Sequence, residues 1–563
     1  MKYSSSFWKR IFCAALCVSL AAGMAAGCAS QEAASSAAPS GSSAADVSEA
    51  DGQAEAEPIA YDPDSPTGGL TLPLTEEDVT ITYWIPLNDQ AKGVIQNYNE
   101  NQAIQELEKR TGVKVDFQHP PVGQETEQYK LLIVSDDLPD VIEERGTAMY
   151  PGGGDKAIED GVFLRLNELM ENNAPNYMHL REESDEIRKL TITDAGNIWS
   201  FGMIQNFDAL VWNGPIVRKD ILDDLGIDPP ETIEDWYAML TAMKESGVEI
   251  PLLFPKTGRD SYGCFLGSYN IAASFYVDDG TVKFGPYEEA MKDYLTEMNK
   301  WYTEGLIDQD FASRDSKMTE ALATSGRAGA WIGTSGIEIE SYLVSGQSSN
   351  PDFELYGASY PLQLNGEKSQ YRQVDQKVRG YNASITTSCE CPELVTQWLD
   401  YRYSEEGSML FNYGTTEGVT YEINEDGEPR VLQDVVLSYP ENEGLAFTNV
   451  MWKYKINDGA MNRMNTAPLD SLIPESQQAR VEWGESAGTD NVLPTLTMTT
   501  EEASEYNSIM NEINTYTDQM ILKFFIGDES LDAFDSYREQ LQKMNIERAI
   551  EIQQAAYDRY LAR

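Results

Sequence analysis

The sequence predicts an α/β protein built on a doubly wound parallel sheet, and three observations lead there. Val79, Ile81, Tyr83 and Ile85 alternate with Thr80, Thr82 and Trp84, the period-two pattern of a strand. Ile95, Tyr98, Ile104 and Leu107 then share about one helical face, Gly112 stands just past its end, and Val113-Lys114-Val115-Asp116-Phe117 alternates again. A helix through Tyr129 to Val134 and a short strand at Leu138-Pro139-Asp140-Val141-Ile142 complete a β-α-β-α-β order. Ligands of such sheets sit outside the carboxyl ends of the strands, which directs attention to the loops after Ile85 and after Ile142.

A second unit begins near Asp208. Thr232 and Asp235, after Pro229-Pro230 and before Trp236-Tyr237-Ala238-Met239-Leu240, form a capping box that opens an amphipathic helix. Asp278-Asp279-Gly280-Thr281, between Phe275-Tyr276-Val277 and Val282-Lys283-Phe284, is a hairpin turn, and Asp426-Gly427 marks another. From Glu501 the chain is strongly helical, with one stop at Gly527 and a new N-cap at Asp528 or Ser530.

The first residues read as an export signal. Lys2, Lys9 and Arg10 precede an apolar stretch, Ile11 to Ala26, that is too short and too rich in small residues for a comfortable membrane span. It ends in Ala25-Ala26-Gly27-Cys28, similar to a bacterial lipobox with Ala25 where leucine is usual. The expectation is a signal at 1–27 and a lipid, palmitate included, on Cys28; an ordinary secretory cut near Ala29 is the other reading. Both place the protein outside the cytoplasmic membrane and exclude most roles that depend on ATP, NAD or nucleic acid. Residues 28–70 are expected to be a flexible stalk, because 29–60 hold almost no large apolar side chain.

The chain has 563 residues, 93 acidic against 41 basic, for a formal charge of −52. So acidic a surface is repelled by phosphate backbones and anionic lipid, which argues against nucleic acid and against an anionic ligand held by bulk charge. Cys264, Cys389 and Cys391 remain after the leader; three thiols, two of them in a Cys-x-Cys run, make no disulfide framework. Catalytic constellations are missing. His119 and His179 are the only histidines and stand far apart. Gly333-Thr334-Ser335-Gly336 has the wrong spacing for a nucleophile elbow, and no phosphate loop, dinucleotide fingerprint or calcium loop is found. Glu143-Glu144 follows a strand at the expected mouth, but neighbouring positions point apart and do not face each other across a sugar. The expectation is a binder without cofactor or metal.

Several segments, in order and spacing, resemble the extracellular solute-binding proteins of carbohydrate-uptake ABC transporters, in the maltose-binding-protein-like superfamily. They include Thr111-Gly112-Val113-Lys114-Val115, Leu138-Pro139-Asp140-Val141, Asp160 to Leu166, Gly196-Asn197-Ile198-Trp199-Ser200-Phe201 and Leu210-Val211-Trp212-Asn213. Phe411 to Gly418, with Gly527-Asp528-Glu529-Ser530-Leu531, resembles the long lipoprotein branch of Gram-positive bacteria. The resemblance implies a type II two-lobe fold, each lobe a doubly wound sheet flanked by helices. The implied lobes are 71–207 with 358–412 and 208–357 with 413–563, crossing near Asn206–Asp208, Tyr356–Pro361 and Gly407–Gly414. It also implies a monomer that closes on an oligosaccharide and delivers it to membrane permease subunits. From the acidic charge, an uncharged or weakly charged solute is expected. A peptide ligand, a surface polysaccharide-degrading enzyme and a sensor without transport are the alternatives.

Sugar recognition needs aromatic faces for the C–H side of the ring and planar polar groups for its hydroxyls. Among ten tryptophans and thirty tyrosines, those near strand ends or crossings are Trp84, Trp212, Trp331, Tyr381, Tyr413 and Trp452. The polar candidates are Asn88, Glu144, Arg145, Asn206, Asp208 and Arg379.

Overall fold

The computed structural model describes residues 57–146, 149–443, 445, 447–456, 458–466 and 472–563. The expected signal, Cys28 and the stalk up to residue 56 lie outside the described residues. The described residues from Glu57 to Arg563 form one compact unit that contains two principal sheets, each with its own core.

The chain begins the first sheet with β1 (Val79–Trp84), β2 (Val113–Gln118) and β3 (Val141–Arg145). Both β2 and β3 pair parallel to β1, in register Ile81 with Val115 and Tyr83 with Val141. The alternation that predicts β1 sends Ile81 and Tyr83 into the main core and Trp84 to the opposite face, against Tyr129. The first helix runs Gln102–Thr111, later than Ile95 suggests, because Asn101 caps it by accepting from Ala103 N and Ile104 N. Gly112 ends it at φ 76°, the left-handed conformation favourable to glycine. After β4 (Phe201–Ile204) the chain crosses to a second sheet, where β5 (Asn213–Arg218) and β6 (Ile250–Leu252) lie. The hairpin β7 (Phe275–Asp278) and β8 (Thr281–Phe284) and the strands β9 (Ala328–Thr334) and β10 (Leu355–Gly357) follow. It returns as β11 (Val378–Ile385) and adds the hairpin β12 (Tyr421–Ile423) and β13 (Pro429–Val431). The first sheet has the order β2-β1-β3-β11-β4 and the second β10-β5-β9-β6. The capping box at Thr232 and Asp235, both hairpins and the helix stop at Gly527 form as the sequence indicates.

Three expectations are corrected. The sheets are mixed rather than parallel: β11, returning from the second sheet, runs antiparallel to β3 and β4, and β5 runs antiparallel to β9 and β10. Residues 57–70 are not stalk. Leu70 is buried in the first core, Asn176 Nδ2 donates to Thr67 O at 3.1 Å, Glu406 N donates to Pro66 O at 2.9 Å, and Tyr61 stacks on His179. The apolar residues of this segment give it surface to bury, which the alanine- and serine-rich composition upstream of it lacks. Nor does the chain cross near Gly407–Gly414. The helix Glu405–Tyr413 packs in the first core through Leu410 and Phe411, and Trp452, Ile456 and Met461 join the same core. The first sheet is still engaged at Arg463, whose N donates to Ile204 O at 2.7 Å, whereas the helix Pro474–Ser486 lies on β10 and β5 of the second. The third crossing therefore falls between Arg463 and Ile473, and the segment 413–462 goes with the first lobe rather than the second.

Candidate functional site

The first two crossings, Gln205–Trp212 and Ala358–Lys377, and the described ends of the third, Arg463–Thr466 and Leu472–Ile473, bound two adjoining cavities of about 280 and about 780 Å3 that share Arg379, Arg463 and Thr466. One wall comes from the first lobe, with Tyr381, Trp452, Lys455 and Asp458; the other comes from the second, with Glu340 and Arg480. Trp212 and Asp375 stand on the crossings themselves.

Local structure aims these side chains. The pairing of β11 with β4 slips between Arg379 and Asn382, so Gly380 and Tyr381 form a bulge. The bulge presents Arg379 and Tyr381 to the cleft and sets Tyr381 beneath Arg145, whose guanidinium lies 5.0 Å from the ring centroid. Asp458 gathers the first wall: it pairs with Arg145, accepts from Asn88 Nδ2 at 2.8 Å and lies 3.5 Å from the Tyr381 hydroxyl. Behind it, Glu143 Oε1 accepts from Ala460 N at 3.2 Å, while Tyr83 donates to Oε2 and Arg402 stands 3.8 Å away. Burial raises the Glu143 pKa against the pull of Arg402. Asn101, the cap of the first helix, also donates through Nδ2 to the carbonyls of Trp452 and Lys455, so one side chain ends a helix and holds the cleft floor. Opposite, Trp212 Nε1 donates to Asp375 Oδ1 at 3.1 Å, and its ring meets Tyr262 edge-on.

Of the sequence candidates, Trp212, Arg379, Tyr381 and Trp452 line the cavities, although Trp452 is fully buried with its ring stacked on Tyr98. Asn88 and Arg145 stand behind Asp458. Trp84 does not reach the cleft, because it is packed on Tyr129. Glu144 is also displaced: it is buried on that face, hydrogen-bonded by the Tyr129 hydroxyl. Trp331 is core, between Ile216 on the neighbouring strand and Tyr342; its flanking glycines make room for Met243 at Gly329 and Glu338 at Gly333, not for a ligand. Tyr413 is buried, its hydroxyl donating to Asn465 O at 3.2 Å beside the third crossing. Asn206 and Asp208 are solvent-facing and bind Glu183 and Lys377.

The residues that composition hid are cationic. Lys455 is buried, donates to Asn412 O at 2.8 Å and has its pKa pulled down to about 7 by burial and by Arg463. Burial, with the like charge of Arg379, also lowers the pKa of Arg463. A signal existed: Met451–Arg463 carries Lys453, Lys455 and Arg463 against Asp458 alone, and Arg372–Arg379 carries Arg372, Lys377 and Arg379 against Asp375 alone, in a chain otherwise dominated by acids.

Both histidines are structural; His119 accepts from Tyr98 N and contacts Ile85 O. The three thiols are free, and among the described residues no group of acids, histidines and cysteines is arranged to hold a metal. No described helix is long and apolar enough to cross a membrane.

Glu144 supplies a titration away from the cleft. Burial lifts its pKa from an ordinary 4.5 to about 7, opposed by the Tyr129 hydrogen bond. Between those values the folded chain keeps a proton that the unfolded chain releases, so this group's contribution to stability falls as pH rises from about 4.5 to about 7. Urea denaturation of wild type and Glu144→Gln at pH 5 and pH 7.5 is expected to show the wild type losing stability relative to the variant at the higher pH. A difference independent of pH would refute the assignment.

The family model for bacterial extracellular solute-binding protein matches residues 94–409. The fructooligosaccharide ABC transporter substrate-binding protein FusA of Streptococcus pneumoniae serotype 4 is 23% identical over 541 residues, covering 89% of this chain and 94% of that protein. The lipoprotein LipO of Bacillus subtilis is 24% identical over 366 residues, 62% of this chain and 69% of that one. Among solved structures, an HMO-binding, ABC-transporter-associated solute-binding protein of Bifidobacterium longum infantis superposes with a TM-score of 0.71 at 16% identity, covering 86% of this chain and 99% of that one. The solved structures confirm the two-lobe type II architecture.

Proposed function

Since the chain belongs to the bacterial extracellular solute-binding protein family, we propose that it is the receptor of an ABC importer, capturing an oligosaccharide between its lobes and releasing it to membrane permease subunits without transforming it. The observation that carries this reading is the cleft at the crossings, with walls from both lobes and ring faces at Trp212 and Tyr381 beside planar polar groups. Ligand that touches both walls only when the hinge is closed binds the closed form better, and that difference drives closure. Moving a hinge from 1:99 to 99:1 takes about 5.5 kcal/mol of differential affinity. Stacked rings and several buried hydrogen bonds are of that order. The relatives named above as sugar-binding transporter components support a carbohydrate. Anchoring at Cys28 is supported by the sequence of its leader and by a relative named as a lipoprotein. The working unit is a monomer, outside the membrane.

Calorimetry and thermal-shift screening against glycan and peptide panels test the reading. Oligosaccharides are expected to raise the melting temperature without being consumed, and Trp212→Ala and Tyr381→Ala each to weaken binding at least tenfold. Stabilisation by peptides alone, or turnover of a glycan, would reject it.

A further inference from the structure

Resting on that reading, we infer that the saccharide taken by this cleft is anionic, a carboxylate- or sulfate-bearing oligosaccharide held by Arg379, Arg463 and Arg480. The smaller cavity is lined by these three arginines and by one acid, Asp375. That carboxylate is already shared: Trp212 Nε1 and Gln373 Nε2 each donate to it at 3.1 Å, and Arg379 Nη1 stands 3.6 Å away. Among the described residues Arg463 makes no ion pair and no side-chain hydrogen bond, and Arg480 is held only by a neutral partner, Ser335 Oγ at 2.7 Å. The larger cavity is mixed in charge: Arg379, Arg430, Lys455 and Arg463 share its lining with Glu340, Glu422 and Asp458, of which Asp458 pairs with Arg145, while Lys455 donates to a carbonyl.

Half-buried guanidinium groups set beside one another are costly: Asp375 is the acid among the three in the smaller cavity, Asp458 and Glu340 act on Arg463 and Arg480 only from beyond ion-pair distance, and burial lowers the pKa of both. A bound anion removes that cost, and the planar fork of arginine suits the two oxygens of a carboxylate or sulfate. The arrangement is selective because it opposes the whole chain, in which acids outnumber bases 93 to 41. The repulsion of that surface is screened beyond about 8 Å at physiological salt, so the groups in contact with the ligand decide its charge. The expectation of an uncharged solute, drawn from total charge, therefore does not apply inside the cleft.

The test is calorimetry on the mature chain with oligogalacturonates of two to four units, the same oligomers as methyl esters, sulfated oligosaccharides, and neutral gluco- and fructo-oligosaccharides. One anionic class is expected to bind at least 100-fold tighter than its neutral counterpart and to weaken with added NaCl; which class does so identifies the source of the charge. Arg463→Gln and Arg480→Gln are expected to cost that ligand at least tenfold, with Arg463→Lys recovering part of the loss. Equal or tighter binding of neutral sugars or methyl esters would overturn the inference and leave the carbohydrate reading intact. Binding of peptides with no sugar bound would overturn both. The comparison among ligands uses the unaltered chain, so it decides even where a variant fails to fold.

Discussion

Trp483→Ala is expected to lower stability by about 3–5 kcal/mol, the range for truncating a fully buried tryptophan. Trp483 lies on the helix that takes up the chain after the third crossing, Pro474–Ser486, and its ring fills the space over two glycines of the second sheet. A Cβ at Gly214 would stand 2.5 Å from the indole Nε1, and one at Gly357 would stand 2.3 Å from Ala479 Cβ. The indole also donates to Pro215 O at 3.2 Å. The sheet is bare at those two positions so that this helix can approach, and alanine at 483 would leave a cavity that rigid strands cannot close. The same helix carries Arg480 into the cleft, so ligand affinity is expected to fall together with the denaturation midpoint. Trp483→Phe fills most of the space and is expected to lose less than half as much. Urea denaturation decides: a cost below about 1 kcal/mol would show that the helix is held elsewhere.

The contrast between what the sequence displays and what it hides follows the range of the interactions. β1, β2, the box at Thr232 and the stop at Gly527 are set by neighbours within a few residues, and each is visible as alternation, a cap or a left-handed glycine. The third crossing has no such mark. An amphipathic helix ending at Gly414 reads equally well in either lobe, and only the burial of its Leu410 and Phe411, and after them Trp452 and Ile456, in the core of Tyr98 and Phe117, far away in sequence, assigns the segment to the first. The cleft divides in the same way. A large aromatic residue near a strand end is a good candidate for a sugar face and an equally good core residue, and Trp84 and Trp331 went to the core. Tyr381 reaches the cleft through a bulge that depends on the slip between β11 and β4, which no local pattern announces. The cations were legible in principle, as two short stretches where bases outnumber acids, but total charge concealed them.

Glu143→Ala joins stability to the site and is expected to cost about 3–5 kcal/mol, the penalty for removing one member of a buried ion pair. Arg402 is buried with its guanidinium 4.3 Å from the Trp398 ring centroid and with Glu143 as its acidic neighbour. Without the carboxylate it stays charged among aromatic rings, and Tyr83 loses its acceptor. The same substitution frees the segment that Glu143 holds at Ala460 N, on which Gly459 approaches so closely that a Cβ would stand 3.0 Å from Glu143 Oε1. Asp458 and Arg463 flank that contact, so the variant is expected to bind ligand at least tenfold more weakly even where it is still folded. The double variant Glu143→Ala/Arg402→Met separates the two consequences. Removing the stranded charge is expected to return a good part of the lost stability, since a hydrophobic replacement of a whole buried pair is often close to neutral. Affinity is expected to stay low, because methionine does nothing to re-anchor Ala460. Additive losses in the double variant would mean that Arg402 finds its counter-charge elsewhere, and recovery of affinity along with stability would mean that the carboxylate does not position the cleft.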